Sequence, residues 1–208
     1  MNADSKAVRS LCKNFIKDNK AQYYVDRDCT ECDLYENSGY PINGSQGQKN
    51  LMIIGESPGK TEYALKKPFV GKSGKLLWSV LKPLDRELFH VTNVIKCFPV
   101  RKIEEEHILK CSAKHLTEEI KLIQPKLILA IGNKALKFFT GKDRGIIELN
   151  GQIFWNERYN TYIAWLIHPA SVLRFKDEGE KDNSRLRDFK KAIKKFKRFY
   201  KTLSQCQG

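Results

Sequence analysis

The sequence predicts an α/β fold built on a parallel sheet that is covered on both faces. Two observations carry this. Short apolar strands alternate with helical segments from residue 51 onward, and strands buried on both faces read as continuous apolar runs. The first strand also runs straight into a glycine-rich turn, GESPG at 55–59, the kind of junction at which an open parallel sheet holds its ligand.

The elements follow in order. Val8, Leu11, Cys12, Phe15 and Ile16 recur at helical spacing and predict a helix over 6–24. Residues 36–50, rich in Gly, Ser and Asn and holding Pro41, read as a loop into the first strand at 51–55. Gly55 and Gly59 permit a backbone approach that side chains would block, and Pro58 stiffens the turn between them. PFVGKSG then sets Phe69 between a proline and a glycine, ahead of a helix over 75–81. Its glycines and serine make a phosphate seat, because amides before a helix lack partners. A second strand at 88–95, a helix over 107–123, a third strand at 127–131 and a helix over 134–139 continue the alternation. A hairpin of 146–150 with 152–155 around Gly151 is expected, and a last strand at 162–167 runs into HPASVLR. The final stretch places Leu186, Phe189, Ile193, Phe196, Phe199 or Tyr200, and Leu203 on one face and cations on the other: an amphipathic basic helix that packs its apolar side on the domain.

At 208 residues, 41% hydrophobic, the chain suffices for one well-packed domain with an appendage. The expected division is a main domain over 1–184, with 185–208 packed upon it as basic helix and tail. No apolar stretch reaches bilayer length, and MNADSKAVRS lacks the core of a signal peptide. An intracellular protein, cytoplasmic or nucleoid-associated, follows, and a membrane role does not. The net charge is +14, and more than half of it lies over 185–201, where nine Lys or Arg face one Asp. A polyanionic partner, nucleic acid first, fits that excess.

Six cysteines in such a chain suit metal binding better than disulfides. Cys29 and Cys32 form a C-x-x-C, and thirteen residues separate Cys97 from Cys111, giving a two-plus-two set. Zinc and an iron-sulfur cluster both accept four thiolates, and spacing leaves the two open. Cys12 and Cys206 lack partner spacing and read as free thiols.

A C-x-x-C, GESPG with PFVGKSGKLL, TNVIKC with a later cysteine, and HPASVLR stand here in one order. In that combination the chain resembles the family IV uracil-DNA glycosylases, the iron-sulfur branch of the uracil-DNA glycosylase superfamily. The resemblance covers roughly residues 29–174. It implies a three-layer α/β/α sandwich with a central four-stranded parallel sheet, which agrees with the four strands counted above. It also implies a structural 4Fe-4S cluster on Cys29, Cys32, Cys97 and Cys111. The implied partner is DNA containing uracil, single- or double-stranded, and the protein is expected to act as a monomer.

Removing a base requires flipping the nucleotide out of the stack and holding the departing base as charge develops on it. By resemblance Phe69 stacks on the flipped uracil. Asn93 reads its edge by donating to O4 and accepting from N3–H, the reverse of what cytosine presents. His168 stands beside O2 to stabilise the uracil anion. Glu56 orients water or supports the sugar cation, and Gly55 and Ser57 complete the pocket. Ser57 replaces the family's usual alanine, and the acid of another branch; a serine is no anionic base near neutral pH, so leaving-group stabilisation has to dominate. Val172 or Leu173 would fill the gap left by the extruded base. Arg174 and the amides near Ser73 would hold phosphates, and Lys72, Lys75 and the terminal helix would add non-specific, salt-sensitive affinity. Two other readings stand beside this one: a glycosylase for another deaminated or modified base, and an inactive iron-sulfur DNA-binding module.

Overall fold

The computed structural model describes residues 16–38, 40–177 and 184–205. A five-stranded sheet in the order β2-β1-β3-β5-β4 forms its centre. Its strands are β1 (Leu51–Gly55), β2 (Phe89–Asn93), β3 (Leu127–Ile131), β4 (Ile153–Asn156) and β5 (Thr161–Leu166). β2, β1, β3 and β5 run parallel, as expected, and every residue in them is buried. β4 adds an antiparallel edge to β5.

The register separates the two faces. Phe89, Leu51, Leu127 and Tyr162 form one row across the sheet and so point to one side. On that side Phe89 meets Trp78 of α3 (Lys72–Leu81) and Phe196 of α9 (Ser184–Ser204), and Tyr162 meets Phe199. α8 (Pro169–Asp177) packs against both of these helices. On the other face Trp165 meets Phe139 of α6 (Gly132–Thr140), while His90 and Thr92 reach Glu119 of α5 (Thr117–Ile123). The result is helix, sheet, helix: three layers. Between α4 (Glu105–Cys111) and α5 the helix widens to one π-turn at Ser112–Leu116, just after Cys111. The described residues also form three short α-helices, α1 (Leu34–Ser38), α2 (Lys60–Leu65) and α7 (Ile146–Leu149), and a 3-10 turn at Arg86–Leu88.

Two sequence expectations fail in the described residues. The predicted helix over 6–24 lies partly outside them; from residue 16 to 24 the chain is not helical, and the backbones of Lys17 and Asn19 bond to Asn50 and Gln48 instead. The hairpin around Gly151 is absent. Residues 146–149 form α7, and β4 pairs forward with β5. Gly151 sits at φ +77° because α9 lies against it: an added Cβ would come within 3.0 Å of the Ala192 backbone.

Because β1 leads to β2 on one side and the chain then crosses to β3 on the other, the sheet's order reverses between β1 and β3. An α/β sheet opens its ligand crevice at such a point, beyond the carboxyl ends of the strands.

Candidate active site

A cleft of about 850 Å³ opens at that end of the sheet. Glu56, Ser57, Phe69, Ser73, Asn93, His168 and Arg174 all line it, so residues spread over more than a hundred positions converge on one hollow. Gly55 lies beneath the first of them. A Cβ placed there would fall 2.5 Å from the Phe69 ring and 2.5 Å from Asn93 Oδ1, so only glycine lets the aromatic and the amide meet over the strand end.

Phe69 is buried and has φ +51°, a conformation that costs a bulky residue about 1–3 kcal/mol and survives only where the surroundings enforce it. Trp78 Nε1 and Arg86 Nη1 donate to its carbonyl at 3.0 and 3.3 Å, and Arg86 Nη2 donates to Pro68 O at 2.6 Å. Gly74 leaves room for the turn, since a Cβ there would strike the Phe69 carbonyl at 2.1 Å. Glu62 closes it: Oε1 accepts from the amides of Val70 and Gly71 at 3.0 and 2.7 Å.

The amides that the sequence offers as a phosphate seat before α3 are therefore partly taken by the chain's own carboxylate. Sequence reading missed Glu62 because its partners lie eight and nine residues away on a turn whose shape depends on tertiary contacts. Glu62→Ala strands those donors, and a loss of about 1–3 kcal/mol in urea unfolding is expected; Glu62→Gln keeps an acceptor and should recover most of it.

His168 lies two residues beyond the end of β5, just before α8. Its Nδ1 accepts the Ala170 amide hydrogen at 3.1 Å, which leaves the ring proton on Nε2. Burial, then the nearby Arg174 cation, lowers its pKa to about 4, so the ring is neutral near neutral pH. Gly132, at φ +84°, passes beneath it; a Cβ there would lie 3.4 Å from the imidazole. Burial raises the Glu56 pKa, against the opposing pull of Lys134 and Arg174.

The remaining expected residues divide. Lys72 and Lys75 are exposed on the first turn of α3, and Leu173 is half-buried. Val172 is 5% exposed and belongs to the core, so its side chain is not available as a wedge; that correction leaves Leu173. Asn133, Arg144 and Arg185 also line the cleft, and no local motif marked them.

Behind the site, Cys97 and Cys111 are buried, and Cys29 and Cys32 are half-exposed; none of the four is in a disulfide. The C-x-x-C loop is fastened over α4 and the π-turn. Lys114 pairs with Asp26 and Glu31 at 3.0 and 3.1 Å, and Asp33 accepts from His107 Nε2 at 2.9 Å and pairs with Arg101. The Lys96 amide donates to Cys111 Sγ at 3.3 Å. Burial pushes the Cys111 thiol up to about 12; Lys96 opposes this and the neighbouring Cys97 and Cys32 add to it. Among the described residues, no three His, Cys, Asp or Glu side chains close around one point as a single metal ion requires. The Lys96 side chain is buried too. It donates to Glu119 Oε2 at 2.5 Å and to Thr92 Oγ1 at 2.6 Å, while His90 bonds the other carboxylate oxygen at 2.8 Å. Burial works against ionising Glu119, but Lys96 and His90 outweigh it and hold its pKa at about 2. This network anchors the segment that carries both Asn93 and Cys97.

Residues 41–197 match the model of the uracil DNA glycosylase superfamily. Among curated proteins, the type-4 uracil-DNA glycosylase of Saccharolobus solfataricus is 34% identical over 159 residues, which span 71% of this chain and 73% of that protein. That of Sulfurisphaera tokodaii is 32% identical over 157 residues, 70% of this chain and 71% of its own. That of Archaeoglobus fulgidus is 32% identical over 168 residues, 74% and 84% respectively.

Proposed function

The chain belongs to the uracil DNA glycosylase superfamily, and from that premise we propose that it removes uracil from DNA, hydrolysing the N-glycosidic bond and leaving an abasic site. The observation that carries the reading is the His168 hydrogen bond from Ala170, which fixes a neutral imidazole with its N–H on Nε2 in the cleft that also holds Phe69 and Asn93.

The flipped uracil stacks on Phe69 and pairs its O4 and N3–H with the Asn93 amide. As the bond from N1 to C1′ breaks, its electron pair leaves with the base. His168 Nε2–H then meets the charge growing on O2. Water adds to C1′, and Glu56, more basic than an ordinary carboxylate, takes its proton or faces the sugar cation. Ser57 offers no anionic base, so donor placement dominates. Leu173 fills the vacated stack, while Arg174 and Ser73 at the cleft, with Lys72 and Lys75 on the adjoining turn, hold phosphates.

Cys29, Cys32, Cys97 and Cys111 are the residues that would hold a 4Fe-4S cluster. The nearness of Cys97 and Cys32 to Cys111 and the Lys96 N–H directed at Cys111 Sγ support that assignment. Such a cluster, when bound, supplies a cross-link between the C-x-x-C loop, the segment after β2 and α4. We read residues 1–184 and the basic helix as one monomeric unit that acts inside the cell. Among the described residues no helix is long and apolar enough to cross a membrane.

The test is alkali-revealed cleavage of single-stranded and duplex oligonucleotides carrying one uracil, hypoxanthine or xanthine. Breakage with uracil alone is expected. Breakage with another base alone would replace uracil as the substrate, and binding without breakage would make the protein a DNA-binding module.

A further inference from the structure

A second hollow of about 430 Å³ adjoins the cleft, and the two share Ile147, Ile167 and Arg185 as walls. Its far side is the N-terminal half of α9, where Lys191 and Lys195 stand exposed, one helical turn apart on one face. Among the described residues that line it, Asp188 is the one anion, 3.9 Å from Lys191, against the cations Arg185, Lys191 and Lys195.

The floor is built rather than incidental. Asn150 accepts the Ile167 amide hydrogen on Oδ1 at 3.1 Å and donates through Nδ2 to Asp188 O at 3.2 Å. One side chain thus ties α9 to the residue preceding His168. Gly151 lets the helix come close, and the Lys195 stem lies over it, with Cδ 3.5 Å from where a Cβ would be. The hollow is therefore held in fixed register with the cleft.

Resting on the glycosylase reading above, we infer that this hollow is the exit track for the DNA strand on one side of the flipped nucleotide, with Lys191 and Lys195 taking successive backbone phosphates. Cations in a trough that continues the cleft fit a phosphodiester chain, and they carry affinity without reading sequence. Lys190 and Lys194 provide the internal comparison. They have the same spacing on the same helix, are also exposed, and line neither hollow.

The test uses the full chain and single-stranded oligonucleotides with one uracil, extended on either its 5′ or its 3′ side. The Lys191→Gln/Lys195→Gln variant should bind strands extended on one of the two sides about tenfold more weakly at 0.1 M salt. Its salt slope there should fall by about 1.4, two phosphates at about 0.7 each. Lys190→Gln/Lys194→Gln removes equal charge and should keep the difference between the two sides. Equal losses in both variants, or a loss that ignores the side of extension, overturns the track. If the unaltered protein releases no uracil from any strand, the glycosylase reading fails instead. The side dependence is still read by fluorescence anisotropy on the same strands, so the two failures separate.

Discussion

Replacing His168 with alanine is expected to lower kcat for uracil release by about 100- to 1,000-fold, the cost of removing one donor from a site of developing negative charge. KM should change far less, because the bond to O2 strengthens only as the base departs. His168→Gln, which keeps an N–H donor, should recover part of the loss. The pH dependence separates this role from general acid catalysis. With a pKa near 4, lowered first by burial and then by Arg174, the ring is neutral throughout the range in which an ordinary histidine titrates at 6.5. The rate should therefore show no His168 limb near pH 6.5 and should fall only as pH approaches 4. Stability carries the same sign. The folded value lies below the unfolded one, so the unfolded chain binds more protons between them; the contribution is whole above pH 6.5 and is lost as pH falls from 6.5 to 4. An unchanged kcat in the alanine variant would remove His168 from the chemistry, and a rate limb at 6.5 would mean that a charged ring does the work.

The parts of this molecule legible in the sequence are those whose signal is local. LMII and LILAI read as strands because both faces of the sheet are covered, so burial leaves no polar alternation to blur them. Gly55, Asn93 and His168 were legible because each stands at or just beyond a strand's carboxyl end, and Phe69 because it sits in a Pro- and Gly-marked turn between two helices. What escaped depends on partners far along the chain. Glu62 reaches the amides of Val70 and Gly71 only once the turn folds back on it, and Arg86 serves Phe69 only through tertiary geometry. Glu119 and Lys96 meet inside the protein, where no pattern of burial predicts a charge. Gly151 misled for a physical reason: a glycine between apolar runs usually turns a hairpin, whereas this one yields space to α9. The spacing of Ile16 with residues before it suggested a helix, yet the segment from 16 bonds to the loop ahead of β1, and Ile16 is buried there without helical structure.

Cys111→Ala should yield a colourless protein without bound iron, while Cys206→Ala keeps both the iron and its broad visible absorbance. This follows from the surroundings of Cys111: it is buried, accepts the Lys96 amide hydrogen, and closes α4 just where the helix widens into the π-turn. Its thiol, pushed up to about 12 by burial, does not ionise near neutral pH without a positive centre beside it, so bound metal and thiolate stand or fall together. A link from Cys29 to Cys111 closes a loop of roughly 80 residues, for which chain entropy alone gives about 4.5 kcal/mol. Against a total stability of about 5–15 kcal/mol that is a large share, and in a chain of this size it corresponds to a fall of about 10–20 °C in Tm. Below the lowered Tm, the folded fraction should still release uracil in a single turnover at close to the normal rate, because His168, Asn93 and Phe69 are held by β5, β2 and the Glu62 clamp. Iron retained in Cys111→Ala, or an unchanged Tm, would overturn the ligand assignment. A rate lost well below the Tm would give the cluster a part in the chemistry itself.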